Sequence, residues 1–148
     1  SNMLLSDEAI ECVLNRYIAV DILRTIQNHL IGFFETNIAG HYQGYFGVDM
    51  FIYKQTDETF AINPCVEINM RVTMGMVARL FYDRFVELGK KGTFTIEHGL
   101  TEGELLTKHQ ILTNQYPLII KDAKIEAGYL SLCPINETTC YSASVIIN

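Results

Sequence analysis

The sequence lacks any long uninterrupted run of apolar residues. No segment approaches the roughly 18 uncharged apolar residues that a membrane-spanning helix needs. The 148 residues of the sequence also show no basic start followed by an apolar core and a small-residue cleavage site. We therefore predict a cytoplasmic protein with no membrane partner. Ser1 and Asn2 resemble the remnant of a removed purification tag, so the domain is expected to cover residues 3–148.

Paired cysteines and an excess of basic charge are also missing. The four cysteines, Cys12, Cys65, Cys133 and Cys140, are scattered with no C-x-x-C pair, which predicts reduced, buried thiols rather than a disulfide framework or a zinc site. Eleven basic against seventeen acidic residues give a net charge of −6. That balance argues against nucleic acid or an anionic membrane as the main partner.

What is present is the composition of one globular domain. The chain has 148 residues, of which 49% are hydrophobic and 19% charged, and this length fits a single domain with a core of its own. Ser6 followed by Asp7 and Glu8 predicts the start of a helix, because acidic residues favour the positive end of the helix dipole. A second helix is predicted from Asp21 to Ile38, with Gly40 as its stop.

The hydrophobic period then changes from helical to alternating. Strands are predicted at 44–53 and 60–69 with a turn at 54–59 between them, and Pro64 restricts the second strand to an edge, a bulge or a strand start. A helix follows at 74–88, ended by Gly89, and Thr101 with Glu104 predicts a capping box. Further strands are predicted at 92–97, 117–125, 128–133 and 140–147. This order predicts an α+β fold with an antiparallel sheet and packed helices.

Four polar residues interrupt the two predicted hairpin strands. Asp49 is a lone carboxylate in an apolar strand, and Glu67, Asn69 and Arg71 alternate with apolar residues, which places these three on one face. If the strands form a hairpin, Asp49 can lie beside Glu67. Carboxylate and amide oxygens suit Mg²⁺ or Mn²⁺, and a guanidinium suits a phosphate or carboxylate. The alternative is an amphipathic strand whose polar face is simply solvated.

Two runs in this region resemble a known family. Residues 42–50, Tyr-Gln-Gly-Tyr-Phe-Gly-Val-Asp-Met, and residues 64–75, Pro-Cys-Val-Glu-Ile-Asn-Met-Arg-Val-Thr-Met-Gly, closely resemble the C-terminal part of ATP-grasp ligases. In that family a G-x-D strand is followed by an E-x-N-x-R strand and a turn into a helix. Met70 stands where many members have proline. The motif core covers residues 42–78.

The resemblance implies a role for each residue of the motif. Glu67 and Asn69 would coordinate the magnesium that bridges the triphosphate of ATP, with Asp49 as the partner carboxylate. Arg71 would be the catalytic residue that holds the substrate or its acyl phosphate. The implied activity is that of a carboxylate ligase, in which ATP activates a carboxylate for attack by an amine.

The resemblance also implies that a part of the enzyme is not in this chain. Family members bind ATP between two lobes, and the upstream lobe, which supplies the lysines and the phosphate-covering loop, is expected in the same longer chain. This C-terminal half would then be inactive alone. Its partners would be that lobe and the small-molecule carboxylate and amine substrates, and the isolated fragment could self-associate through the surface that the lobe normally covers.

Two other functions fit parts of the pattern. Asp49 and Glu67 would suit a metal-dependent nuclease, although Asn69 stands where such sites commonly have lysine; nicking of plasmid DNA that Asp49→Ala abolishes would favour that function. A degenerate lobe kept as a non-catalytic interaction module is the other alternative, and it predicts an exposed apolar surface.

Overall fold

The computed structural model describes every residue from Ser1 to Asn148 and has the predicted α+β architecture with an antiparallel sheet. The strands are β1 (Asn2–Leu4), β2 (Gly47–Lys54), β3 (Phe60–Asn69), β4 (Gly92–His98), β5 (Ile119–Lys121), β6 (Lys124–Ser131) and β7 (Tyr141–Ile147). The helices are α1 (Asp7–Leu14), α2 (Val20–Asn37), α3 (Met74–Phe85) and α4 (Glu104–Gln115). None of these helices has the length and apolar character needed to cross a membrane.

The chain divides into two compact units, where the composition predicts one domain. We call residues 1–6 with 77–148 the sheet unit, and residues 7–76 the hairpin unit. The hairpin unit contains α1, α2, β2 and β3, and it therefore carries every residue of the predicted site. The sheet unit contains the remaining strands and α4.

The sheet unit is built on five antiparallel strands in the order β1-β4-β7-β6-β5. Its largest fully buried side chains are Leu4, Val145 and Ile147. Gly92 is required by close packing, since a Cβ there would lie 2.4 Å from the Ile146 carbonyl oxygen. Asn2 pairs with Phe94 in this sheet, so β1 includes a residue that was expected outside the domain.

The hairpin unit contains helices α1 and α2 and a two-stranded sheet, β2–β3, and aromatic side chains make contacts between these segments. Phe34 of α2 lies 4.3 Å from Phe46 between ring centroids, and Tyr17 meets Phe60 edge-to-face at 5.1 Å. Only two apolar side chains of this unit, Ile18 and Phe34, are buried, whereas the sheet unit holds the rest of the buried apolar residues. The hairpin unit therefore has a thin core and leaves much apolar surface exposed.

Helix starts and ends follow local hydrogen bonding, with two corrections. Helix α2 ends at Asn37 because the Ile38 and Ala39 N–H groups both donate to the Phe34 carbonyl oxygen. Gly40 has no positive φ and is therefore not the predicted stop. The helix predicted to run to residue 88 ends at Phe85, because Val86 forms a parallel bridge with Ile125.

The capping box predicted at α4 is only half formed. The Glu104 carboxylate accepts hydrogen bonds from the Leu100 and Thr101 N–H groups at 2.8 and 3.1 Å. These bonds hold the pKa of the Glu104 carboxyl below its usual range. The Thr101 hydroxyl donates to the same carboxylate instead of capping the helix, and Gly103 occupies the N-cap position with a φ of 77°.

The strand predicted at 117–125 is wrong as a single element. It is a hairpin of β5 and β6, and its turn residues Asp122 and Ala123 have positive φ values of 48° and 61°. Two consecutive left-handed residues form the turn type that matches the twist of paired strands. Alanine gives no sequence signal for such a turn, because side chains other than glycine, asparagine and aspartate rarely adopt that conformation.

Strand β1 is expected to contribute strongly to the stability of the sheet unit. Leu4 is 1% exposed, and truncating a buried leucine to alanine removes apolar contacts and leaves a cavity. Leu4→Ala should therefore lower the free energy of unfolding by about 2–5 kcal/mol. Chemical denaturation measures this change. The neighbouring Met3 is 70% exposed, so Met3→Ala should stay within about 0.5 kcal/mol of the wild type. Equal effects of the two variants would contradict the placement of β1.

Candidate functional site

The turn of the β2–β3 hairpin is held by a small set of local hydrogen bonds. The Gln55 N–H donates to the Thr59 carbonyl oxygen at 2.8 Å, and Lys54 forms an ion pair with Glu58, which has a φ of 68°. The Asp57 carboxylate accepts bonds from the Thr59 hydroxyl at 2.6 Å and from its N–H at 3.1 Å. The hydroxyl first, and then the N–H, lowers the pKa of the Asp57 carboxyl. The turn therefore fixes the register of the two strands.

Pro64 lies in a bulge of β3, and the strands keep the same faces on either side of this bulge. Asp49 pairs with Glu67, and Phe51 pairs with Asn63, so three residues of β3 stand opposite Met50 alone. Proline has no N–H to donate to a strand ladder and belongs at an edge or a bulge, as the sequence predicts. Because two residues are added, the alternation of faces is preserved on both sides of the irregularity.

The register brings together all four predicted site residues, and we call Asp49, Glu67, Asn69 and Arg71 the polar cluster. Asp49 and Glu67 are direct cross-strand partners, so their side chains stand on the same face. The Asn69 amide nitrogen donates to Asp49 Oδ2 at 3.3 Å, and Arg71 Nη2 donates to Asn69 Oδ1 at 3.1 Å. Asn69 is half-buried, and the three charged members are exposed.

The end of the cluster is shaped by Gly47 and Thr73. Gly47 is the cross-strand partner of Asn69, and a Cβ added to it would lie 2.8 Å from Thr73 Cγ2. The Thr73 hydroxyl accepts a hydrogen bond from the Met76 N–H at 3.2 Å, which caps the start of α3. Glycine in the G-x-D sequence therefore gives the strand room beside the residue that starts the helix.

The sequence interpretation missed an aromatic pair on the face of the polar cluster. Phe51 and Tyr53 alternate with Asp49 along β2, and their ring centroids lie 5.8 Å apart. Both are about half exposed, at 49% and 45%. The alternation of residues 47–53 is the signal that could have placed these rings beside Asp49.

The cysteines also differ from the prediction of buried thiols. All four cysteines are free, but Cys12, Cys65 and Cys140 are exposed and Cys133 is only partly buried. Cys65 lies in the irregular part of β3. No third strand covers this two-stranded sheet, which explains why a thiol predicted to be buried reaches the surface.

The donor set of the polar cluster fits one kind of metal chemistry. No group of three or more histidine, cysteine, aspartate or glutamate side chains is arranged to hold a metal ion. Two carboxylates and an amide oxygen remain, and Mg²⁺ is commonly held by one or two carboxylates while waters and substrate phosphates complete its shell. Asp49 and Glu67 therefore suit Mg²⁺ bound together with a phosphate, rather than an ion caged by protein alone.

The chain matches no protein-family model, no curated protein sequence and no solved structure. Function is therefore inferred from the chemistry and geometry of the polar cluster and from the sequence motif that carries it.

The low pKa of Asp57 predicts a pH-dependent hairpin turn. Since its pKa is lower in the folded chain, ionised Asp57 stabilises the turn above its unfolded-state pKa, and this is lost as the pH falls through the folded-state pKa. Thr59→Val should raise the pKa of Asp57 toward its ordinary value, because the larger contribution comes from the Thr59 hydroxyl. NMR titration of the Asp57 carboxyl measures the shift. Thr59→Ser, which keeps the hydroxyl, should retain the low pKa; a rise there equal to that in Thr59→Val would contradict the assignment.

Proposed function

We propose that the polar cluster binds the Mg²⁺ of an ATP-grasp carboxylate ligase and that this chain is the C-terminal lobe of such an enzyme. The observation that best supports the proposal is the cross-strand pairing of Asp49 with Glu67, with Asn69 on the same face. Two carboxylates that are paired across neighbouring strands concentrate negative charge. Such a pair favours a hard divalent cation that also carries phosphate oxygens.

Each member of the cluster has a distinct role in this proposal. Glu67 and Asn69 supply the carboxylate and amide oxygens that hold Mg²⁺, and Asp49 adds a second carboxylate on the neighbouring strand. Mg²⁺ held by these oxygens would supply positive charge to the triphosphate of ATP. Arg71, at the exposed end of the cluster, binds the carboxylate substrate and the acyl phosphate formed from it, because a guanidinium matches both groups.

The proposed reaction has two steps, phosphoryl transfer and then attack by the amine. A carboxylate oxygen of the substrate takes the γ-phosphoryl group of ATP, which gives an acyl phosphate and ADP. The amine nitrogen then attacks the acyl carbon, phosphate leaves, and the amine loses a proton. Positioning and charge neutralisation dominate the first step, and these are the contributions that the oxygens of the cluster and the Arg71 cation can make.

A complete catalyst would need groups that the polar cluster does not contain. The adenine pocket and the lysines that contact the phosphates are assigned, by the family resemblance, to an upstream lobe of a longer chain. We therefore expect this chain to bind the metal ion without the upstream lobe, but to catalyse the reaction only together with it.

Metal binding tests the proposal directly. Replacing Glu67 by glutamine keeps the size of the side chain and removes the negative charge that attracts the cation. Glu67→Gln should weaken Mn²⁺ binding by about tenfold or more, as expected for a group at or near the metal. Electron paramagnetic resonance of free Mn²⁺ measures the dissociation constant.

Glu58→Gln is the matched control, because Glu58 lies in the turn of the same hairpin and pairs with Lys54. It should leave Mn²⁺ affinity unchanged. Unchanged affinity in Glu67→Gln, or equal losses in both variants, would remove the metal assignment and with it the ligase proposal.

A second candidate function, a non-catalytic interaction module, is favoured by the apolar surface of the hairpin. Phe51 and Tyr53 are exposed on one face of the sheet, and Val66 and Ile68 are 55% and 40% exposed on the other. A two-stranded sheet is marginal alone and gains stability when further strands or helices cover it. The partner in this hypothesis is a second copy of the chain.

Sedimentation velocity over a range of protein concentrations tests this second function. A self-associating module should form dimers that Val66→Lys weakens, because the new charge would be buried in the interface. Leu88→Lys is the control, since Leu88 is 81% exposed but belongs to the sheet unit. A monomer at every concentration would argue against the module and leave the ligase proposal untouched.

A further inference from the structure

Asn69 links two opposite charges in the polar cluster. Its amide nitrogen donates to the Asp49 carboxylate at 3.3 Å, and its amide oxygen accepts from the Arg71 guanidinium at 3.1 Å. A carboxylate can only accept hydrogen bonds, and a guanidinium can only donate them. The two neighbours therefore fix the orientation of the amide, because a flipped amide would lose both bonds.

This orientation has a consequence for metal binding. The amide oxygen is the only side-chain atom of Asn69 that can bind a metal ion, and in the structure it already accepts a bond from the Arg71 cation. A divalent cation at that oxygen would be repelled by the guanidinium held against it. Arg71 lies just beyond the end of β3 and is exposed, so its side chain has solvent to move into.

We propose that Arg71 occupies the Asn69 oxygen until a divalent cation displaces it. The bond that Asp49 accepts from the Asn69 amide nitrogen keeps this oxygen turned toward Arg71. Metal binding then changes the cluster in two ways. It replaces a single positive charge at Asn69 by a double one, and it frees the guanidinium to bind an anion.

The exchange would order the binding of ligands at the cluster. Without metal, the donors of Arg71 are partly used by Asn69, and the charges of Asp49, Glu67 and Arg71 sum to −1, which disfavours an anion. With a divalent cation bound, the same groups carry +1 and Arg71 is free. A substrate carboxylate or an acyl phosphate would therefore bind after the metal. This inference rests on the proposed metal site and adds the regulation of Arg71 to it.

A double-mutant cycle on Mn²⁺ affinity tests the exchange. Arg71→Met removes the competing cation, so we expect Mn²⁺ to bind roughly three- to tenfold more tightly than in the wild type. In the Asn69→Ala background there is no oxygen to compete for, and the same Arg71→Met change should leave the affinity unaltered. Electron paramagnetic resonance gives all four dissociation constants. Arg16→Met, which removes an exposed arginine between α1 and α2, is the control for net charge.

An equal gain from Arg71→Met in both backgrounds would overturn the exchange, because the arginine would then act only by repulsion through space. A gain of the same size in Arg16→Met would overturn it as well. Failure of the metal site itself gives a different result, which is Mn²⁺ affinity that Glu67→Gln does not change. If Glu67→Gln weakens binding and the cycle shows no coupling, the exchange fails and the metal site stands.

The ¹H–¹⁵N resonance of Arg71 Nε provides a second measurement that does not depend on affinity. Saturating Mg²⁺ should move this resonance in the wild type to the position that it has in metal-free Asn69→Ala, where the guanidinium has lost its partner. In Glu67→Gln at the same Mg²⁺ concentration, the resonance should stay at its metal-free wild-type position, because Arg71 remains bonded to Asn69. A resonance that Mg²⁺ leaves in place, while Mn²⁺ affinity still depends on Glu67, would overturn the exchange.

Discussion

The pairing register of β2 and β3 is the constraint on which the polar cluster depends. Side chains alternate between the faces of a strand, so a slip of one residue would carry Glu67 and Asn69 to the face opposite Asp49. The turn at Gln55–Thr59 joins the strands at one end and holds the register there, and at the other end Gly47 leaves room for the Thr73 side chain. The irregularity opposite Met50 accommodates Pro64 between them.

The two units differ in how they are stabilised. The sheet unit buries most of the apolar core, including Leu4, Val145 and Ile147, among five hydrogen-bonded strands. The hairpin unit buries only the apolar side chains of Ile18 and Phe34 and depends on aromatic contacts such as Phe34 with Phe46. A unit with so little interior tolerates charged groups on its surface strands, but it also leaves apolar side chains uncovered.

The chemistry of the cluster follows from the placement of a neutral amide between opposite charges. Asp49 and Arg71 each take the end of Asn69 that matches their own hydrogen-bonding capacity. In water such exposed bonds contribute little to stability, because solvent competes for every partner. Their importance is geometric: they decide which end of the Asn69 amide points toward Asp49 and which points toward Arg71.

The sequence by itself determined the α+β class, the hairpin with its turn, and the common face of Asp49, Glu67 and Asn69, because alternation and turn composition are local properties. Only the tertiary structure decided the pairing of β1, the exposure of the thiols and the hydrogen bond from Asn69 to Asp49 on the neighbouring strand. These features depend on neighbours that are distant in the sequence, or on which faces remain uncovered. The sequence also did not predict the turn at Asp122 and Ala123 that divides residues 117–125 into two strands. The strand pairing on either side imposes a left-handed backbone there, which alanine does not favour.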